Sequence, residues 1–231
     1  VPKVAKSWKI SQNGTVYTFF LRDDVYWSDG KKVTAYDFEY SWKRLITAKT
    51  AAEYAYFLFD VKNAQEFNNS KIKDFSKVGI KALNAETFQV TLKKPVAYFI
   101  HIPNFPVLSP LRRDVIEKWG DQWTDPKHIV TNGPYALAKW KHDYELIMER
   151  NENYFDTKAK TKKVHCYMIV EASTTLSLYE TGKLDILQTV PEPDIPRLKN
   201  LPEFHSENYF GNYHIGLNTK KPKPTTMPSV K

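Results

Sequence analysis

Residues 5–44 read AKSWKISQNGTVYTFFLRDDVYWSDGKKVTAYDFEYSWKR, and this stretch decides the fold. Asn13-Gly14 is a hairpin turn signal between two strand-like runs. The run over 15–22 alternates, with Tyr17, Phe19 and Leu21 on one side and Val16, Thr18 and Phe20 on the other. Apolar residues on both sides predict a strand covered on both faces. Trp27 leads into a second turn at Ser28-Asp29-Gly30. Thr34 then opens a helix, with Asp37 three residues on as its capping-box partner. Phe38, Trp42, Leu45 and Ile46 fall at i, i+4, i+7 and i+8 and form the apolar face of that helix.

Working outward, the chain has 231 residues, enough for one large domain or two small ones with real cores. Its 42% hydrophobic and 26% charged residues fit a globular protein. The 13 Phe, 14 Tyr and 6 Trp fit either a large core or an aromatic-lined groove. Net charge is +8 and unevenly placed. Residues 1–113 hold 18 Lys and Arg against 10 Asp and Glu, whereas residues 114–231 hold 16 against 16. The composition therefore shifts near the turn Ser109-Pro110. The lysines are dispersed rather than gathered into a basic run, which disfavours nucleic acid as a partner. Cys166 is the only cysteine, so an internal disulfide and a cysteine metal cluster are excluded. With Val164, Met168 and Val170 on its side of an alternating run, it is expected to be buried. No stretch approaches the ~18 apolar residues of a membrane span.

Further along, residues 50–59 and 61–68 read as helical. Residues 78–83 and 87–92 read as a hairpin joined at Asn84-Ala85-Glu86, and Pro95 starts a short apolar helix over 96–102. A helix over 114–120 precedes the turn Asn132-Gly133-Pro134 and strands over 135–141 and 146–150. A strand over 163–170, a helix over 172–180 and a strand over 184–187 predict a β-α-β crossover with a parallel pair. Ser173 is the candidate N-cap of that helix and Gly182 follows its C-terminus. A short helix over 194–199 precedes a closing strand over 208–218. The tail over 219–231, with three prolines after Lys221, has no apolar period and reads as disordered.

Catalytic motifs are missing from the sequence. There is no phosphate-cradling glycine loop and no nucleophile elbow. The histidines at 101, 128, 142, 165, 205 and 214 have no His or Cys three or four residues away, which argues against a metal site. Asp23-Asp24 reads as an exposed turn. An enzyme would require distant residues to converge, which spacing does not indicate.

One resemblance spans the opening stretch. Ala5, Trp8, Gly14, Tyr17-Thr18-Phe19, Leu21-Arg22, Trp27-Ser28-Asp29-Gly30, Val33-Thr34-Ala35, Asp37-Phe38 and Tyr40-Ser41-Trp42 resemble the signature of the extracellular solute-binding proteins of peptide transporters, the oligopeptide-binding group above all. Asn151 to Phe155 and the segment EASTTLSLYETGKLDI extend the likeness, which stops after Lys221-Pro222.

The resemblance implies an α+β to α/β chain with a periplasmic-binding-protein-like type II lobe. Residues 1–113 would be an inserted accessory lobe, 114–218 part of the first main lobe, and 219–231 a disordered or aberrant tail. It implies that the second main lobe is absent, and that a leader and a first piece of the main lobe precede Val1. It also implies peptide capture for an ABC-type importer in a cleft that closes by a hinge. Oligopeptides and the permease subunits would be the partners. No cofactor and no catalysis are implied. The location would be the periplasm or, through a lipid anchor missing from this sequence, the cell surface. A truncated chain of this kind would bind peptide weakly or not at all.

Four positions carry over. Tyr54 matches a tyrosine that faces the peptide, with a core ring as the alternative. Thr189, in Gln188-Thr189-Val190, matches a loop bordering the cleft but lacks the paired asparagines of some relatives. Tyr209 and His214 match pocket-lining aromatic positions, His214 replacing a tyrosine. Alternatives are a peptide hydrolase, or a receptor for dipeptides, a peptide pheromone or a nickel chelate.

Overall fold

A computed structural model describes residues 3–208 and residue 211. The chain divides into two compact units, Val1–Met168 and Ile169–Lys231.

The first unit begins with the expected hairpin. β1 (Ala5–Ile10) and β2 (Val16–Leu21) pair antiparallel, and Gly14 takes the left-handed φ of 67° that the turn requires. β3 (Ile80–Asn84) and β4 (Thr87–Thr91) form the second hairpin, and the four strands run in the order β1-β2-β4-β3. On β2 only Tyr17, Phe19 and Leu21 are buried. Coverage of both faces is therefore not realised. The other face is dressed with polar groups instead, as antiparallel sheets allow. Gln89 donates to the Thr18 hydroxyl at 3.1 Å, and the Lys9 ammonium lies 5.8 Å from the Phe20 ring centre.

Helix α1 (Ala35–Ile46) covers the buried face. Its capping box forms as read: the Thr34 amide and hydroxyl both donate to Asp37 Oδ2, at 2.8 and 3.0 Å. Trp42 and Ile46 are buried, and Phe38 and Leu45 pack partly buried against the same core. Trp42 meets Phe88 edge-on at 5.0 Å and donates its indole N–H to the Leu108 carbonyl at 3.0 Å.

Beyond α1 the backbone tightens. Residues 50–59 do not form an α-helix. Ala48–Thr50 and Glu53–Leu58 are 3-10 turns separated by Ala51 in the left-handed region. The short α2 (Ala64–Asn68) follows, and the apolar segment after Pro95 is likewise a 3-10 helix, Ala97–Asn104.

The Trp27-Ser28-Asp29-Gly30 turn is a joint. Val25, Trp27 and Val33 form a second small core against Val4, Phe38, Val130 and Phe155. The Ser28 amide donates to the Thr131 carbonyl at 2.7 Å. α3 (Arg113–Trp119) precedes an antiparallel sheet of β5 (Tyr135–Lys141), β6 (Glu145–Arg150) and β7 (Lys163–Tyr167). Cys166, on β7, is exposed rather than buried. β7 is an edge strand with no buried residue, so no alternating face is covered there.

In the second unit, α4 (Ala172–Glu180) buries Leu176. Its N-cap is Glu171 and not Ser173: Glu171 is extended and its carbonyl accepts the Thr175 amide, placing Ser173 inside the first turn. Gly182, at φ 69°, closes the helix, with the Lys183 amide donating to Leu178 and its own to Tyr179. α5 (Ile195–Leu198) is tied back by Arg197 on Glu180 at 2.7 Å. Residues 184–187 form no strand, so the expected parallel pair is not realised. A strand exists only where a neighbour offers N–H and C=O groups, and among the described residues none pairs with this segment. The closing strand over 208–218 and the tail over 219–231 fall, but for residues 208 and 211, outside the described residues.

Candidate functional site

Four rings of the first unit stack into one exposed platform: Tyr54, Tyr56, Phe57 and Phe105. The segment Glu53–Leu58 is two short 3-10 turns that meet at a kink at Tyr54, whose φ is −92° and ψ 17°. Ala55 and Leu58 are three apart and buried. Tyr54 and Phe57 are also three apart and stand together, 5.6 Å between ring centres and 9° from parallel. Tyr56 leans on Phe57 at 4.7 Å and 46°. A second wall comes from the segment Ala97–Asn104, which Phe105 terminates. Phe105 stacks on Phe57 at 4.5 Å and 27°. Tyr54, Tyr56 and Phe105 stay 42%, 53% and 43% exposed, so water meets a continuous aromatic surface.

The same segment borders a groove of about 400 Å³. Trp8, Phe38 and Ile100 give it apolar walls, and His101, Asn104 and Asn132 supply polar groups. Such a combination suits a ligand with alternating apolar and hydrogen-bonding parts.

The charged clusters have a different character. The Arg112 guanidinium is buried and donates to both oxygens of Asp29 at 3.0 and 2.9 Å, and bidentately to Asp114 at 2.7 and 2.6 Å. It also lies 5.9 Å from the Trp27 ring centre. These bonds, with Lys31 at 2.8 Å, hold the Asp114 carboxyl well below the usual carboxylate range. Burial pushes Asp37 up, against the bonds from Thr34. Glu145 accepts from Lys139 at 2.6 Å and contacts His165 Nε2 at 2.5 Å, and these partners, Lys139 foremost, lower its pKa. All of these groups are already satisfied by partners within the chain, as structural joints are. Among the described residues no cluster of His, Cys, Asp or Glu is placed to hold a metal ion.

Of the four positions singled out from sequence, Tyr54 belongs to the platform and is not a core ring. Thr189 is exposed in an irregular segment of the second unit. Tyr209 and His214 lie outside the described residues. Sequence reading missed Tyr56, Phe57 and Phe105. Tyr54 and Phe57 meet across a kink that a helical reading of residues 50–59 does not anticipate, and Phe105 comes from a distant segment.

Solved structures show the fold class. The structure of Haemophilus influenzae OppA in complex with RPPGFSPFR superimposes with a TM-score of 0.81 at 34% identity, covering 86% of this chain and 39% of that one. The fold is thus that of the periplasmic-binding-protein-like solute receptors. The model for "Bacterial extracellular solute-binding proteins, family 5 Middle" matches residues 1–231, and the chain belongs to that family. Among its relatives, the periplasmic oligopeptide-binding protein OppA of Salmonella typhimurium is 36% identical over 226 residues, 95% of this chain and 41% of the relative. The oligopeptide-binding protein OppA of Bacillus subtilis is 35% identical over 225 residues, 94% and 41%. The chain therefore spans about two fifths of the length of these relatives.

Proposed function

We propose that the chain is part of an extracytoplasmic oligopeptide-binding receptor that delivers peptides to the permease of an ABC-type importer. The observation that carries this reading is its likeness, along nearly its whole length, to relatives named for oligopeptide binding. The exposed platform around Tyr54 agrees with it, because Tyr54 stands where the family resemblance expects a peptide-facing tyrosine. The chain acts by binding and not by catalysis. Residues 1–113 serve as the accessory lobe and residues 114–218 as part of the main lobe, with Thr189, Tyr209 and His214 as further contacts. Closure on a peptide shifts the population toward the form the permease recognises. These residues span two fifths of the relatives' length, and taken by themselves they hold peptide weakly or not at all.

Native mass spectrometry with a mixed oligopeptide pool tests the reading. The protein isolated from its host is expected to carry intact peptides. Retention of no peptide, or release of free amino acids from the pool, would overturn it.

A further inference from the structure

We propose that a second pocket of the first unit binds an organic phosphate, that is, a phosphate group carried on an apolar body. The pocket holds about 440 Å³ and shares no residue with the groove or with the ring platform. Glu39 and Lys43, one turn apart on α1, form one wall. Ile80 and Lys81 of the edge strand β3 form another, and residues 73–76 close the third side.

The charge of the pocket is local and positive. Lys43, Lys73 and Lys81 line it, all three are exposed, and among the described residues none of them takes part in a salt bridge. The Lys43 ammonium stands 5.1 Å from the Phe75 ring centre, held by a ring face and not by an anion. Two carboxylates share the walls, and the backbone engages both. Glu39 Oε1 accepts from the Ala82 amide at 3.1 Å, and Asp74 Oδ1 from the Ser76 amide at 2.9 Å. An anion is therefore the charge that the pocket lacks. No arginine lines it. A planar carboxylate is matched best by the guanidinium fork, whereas ammonium groups act as point charges that can gather around the oxygens of a phosphate.

The apolar part sets the rest of the ligand. Phe67 and Phe75 meet edge-on with 5.5 Å between ring centres, and both pack partly buried against the main core. Ile80 is buried beside them in the same lining. The site is shaped before any ligand arrives. Asp74 caps the 3-10 turn Phe75–Lys77, and the Asn63 amide group donates to the Lys77 carbonyl at 2.7 Å. Such preorganisation lowers the ordering cost of binding.

Calorimetric titration of the protein as its host produces it tests the site, with phenyl phosphate, benzoate and inorganic phosphate as probes. Phenyl phosphate is expected to bind roughly tenfold tighter than either of the others, since only it offers both the dianion and the ring. A variant combining Lys43→Gln, Lys73→Gln and Lys81→Gln should lose that binding. A control combining Lys6→Gln, Lys49→Gln and Lys94→Gln, equal in charge and also exposed, should keep it. Sedimentation with phosphatidylcholine vesicles containing phosphatidic acid separates the two sources of such a phosphate. Vesicle binding lost in the pocket variant and kept in the control assigns the site to a lipid headgroup, and phenyl phosphate binding without vesicle binding assigns it to a soluble ester. Binding of neither would overturn the proposal, as would equal losses in the two triple variants. Benzoate or inorganic phosphate binding as tightly as phenyl phosphate would show a site for anions in general and overturn it too.

Discussion

The rings of Tyr54 and Phe57 lie 5.6 Å apart and 9° from parallel across the kinked segment Glu53–Leu58. The same geometry turns Ala55 and Leu58 inward, where Leu58 is fully buried. One short segment thus has a buried face and an exposed aromatic one. Leu58→Ala is expected to cost about 2–5 kcal/mol, since it removes core volume that cannot fully relax. Tyr54→Ala should stay within about 1 kcal/mol, because its ring is largely in water already. Urea unfolding of both variants checks this, and equal losses would mean that the two faces are not distinct.

Trp42 joins α1 to the sheet and to the segment that carries Phe105. It fills the core against Phe88 and satisfies the buried Leu108 carbonyl. Trp42→Phe keeps most of the apolar contact but removes the donor, and should cost about 1–3 kcal/mol. Trp42→Ala should cost about 3–5 kcal/mol. Thermal unfolding compared across the two variants separates the hydrogen bond from the packing. If Trp42→Phe proves as stable as the parent, the Leu108 carbonyl finds another donor.

The first hairpin, the capping box at Thr34 and the face of Phe38, Trp42, Leu45 and Ile46 were legible in the sequence because they rest on local rules. Turn chemistry, cap chemistry and a 3.6 period each show within a dozen residues. The platform was legible only at Tyr54. Residues 50–59 are apolar enough to satisfy a helical pattern, and nothing in them separates a period of three from 3.6. Phe105 meets Phe57 only through tertiary packing. Residues 184–187 failed as a strand for a similar reason, since pairing depends on a neighbour that composition does not supply.

Cys166 shows how an alternating pattern overstates burial at an edge. The run from Val164 to Val170 alternates, yet Val170 is 95% exposed and Cys166 is open to solvent. The folded 231-residue chain is expected to react with a thiol reagent such as Ellman's reagent within a few-fold of the rate of a free cysteine peptide. Its stability should not change in Cys166→Ser by more than about 0.5 kcal/mol. Reaction only in denaturant would show that Cys166 is covered.

Arg112 gathers the turn at Asp29 and the start of α3 into one joint, with its own side chain buried and its partners partly in water. Arg112→Met leaves Asp29 and Asp114 without their shared cation, and their exposure lets water recover part of the loss. The expected cost is about 1–3 kcal/mol, below that of a fully buried pair. Arg112→Lys should recover little, because an ammonium cannot bond two carboxylates bidentately. The folded pKa of Asp114 lies below its unfolded value, so the stability it contributes is present above about pH 4 and is lost as pH falls toward the folded value. Thermal midpoints followed downward from neutral pH should therefore drop more steeply below about pH 4 in the parent than in Asp114→Asn. Parallel pH profiles for the two proteins would show that the bond from Arg112 to Asp114 does not contribute to folding, and the joint would then rest on Asp29 alone.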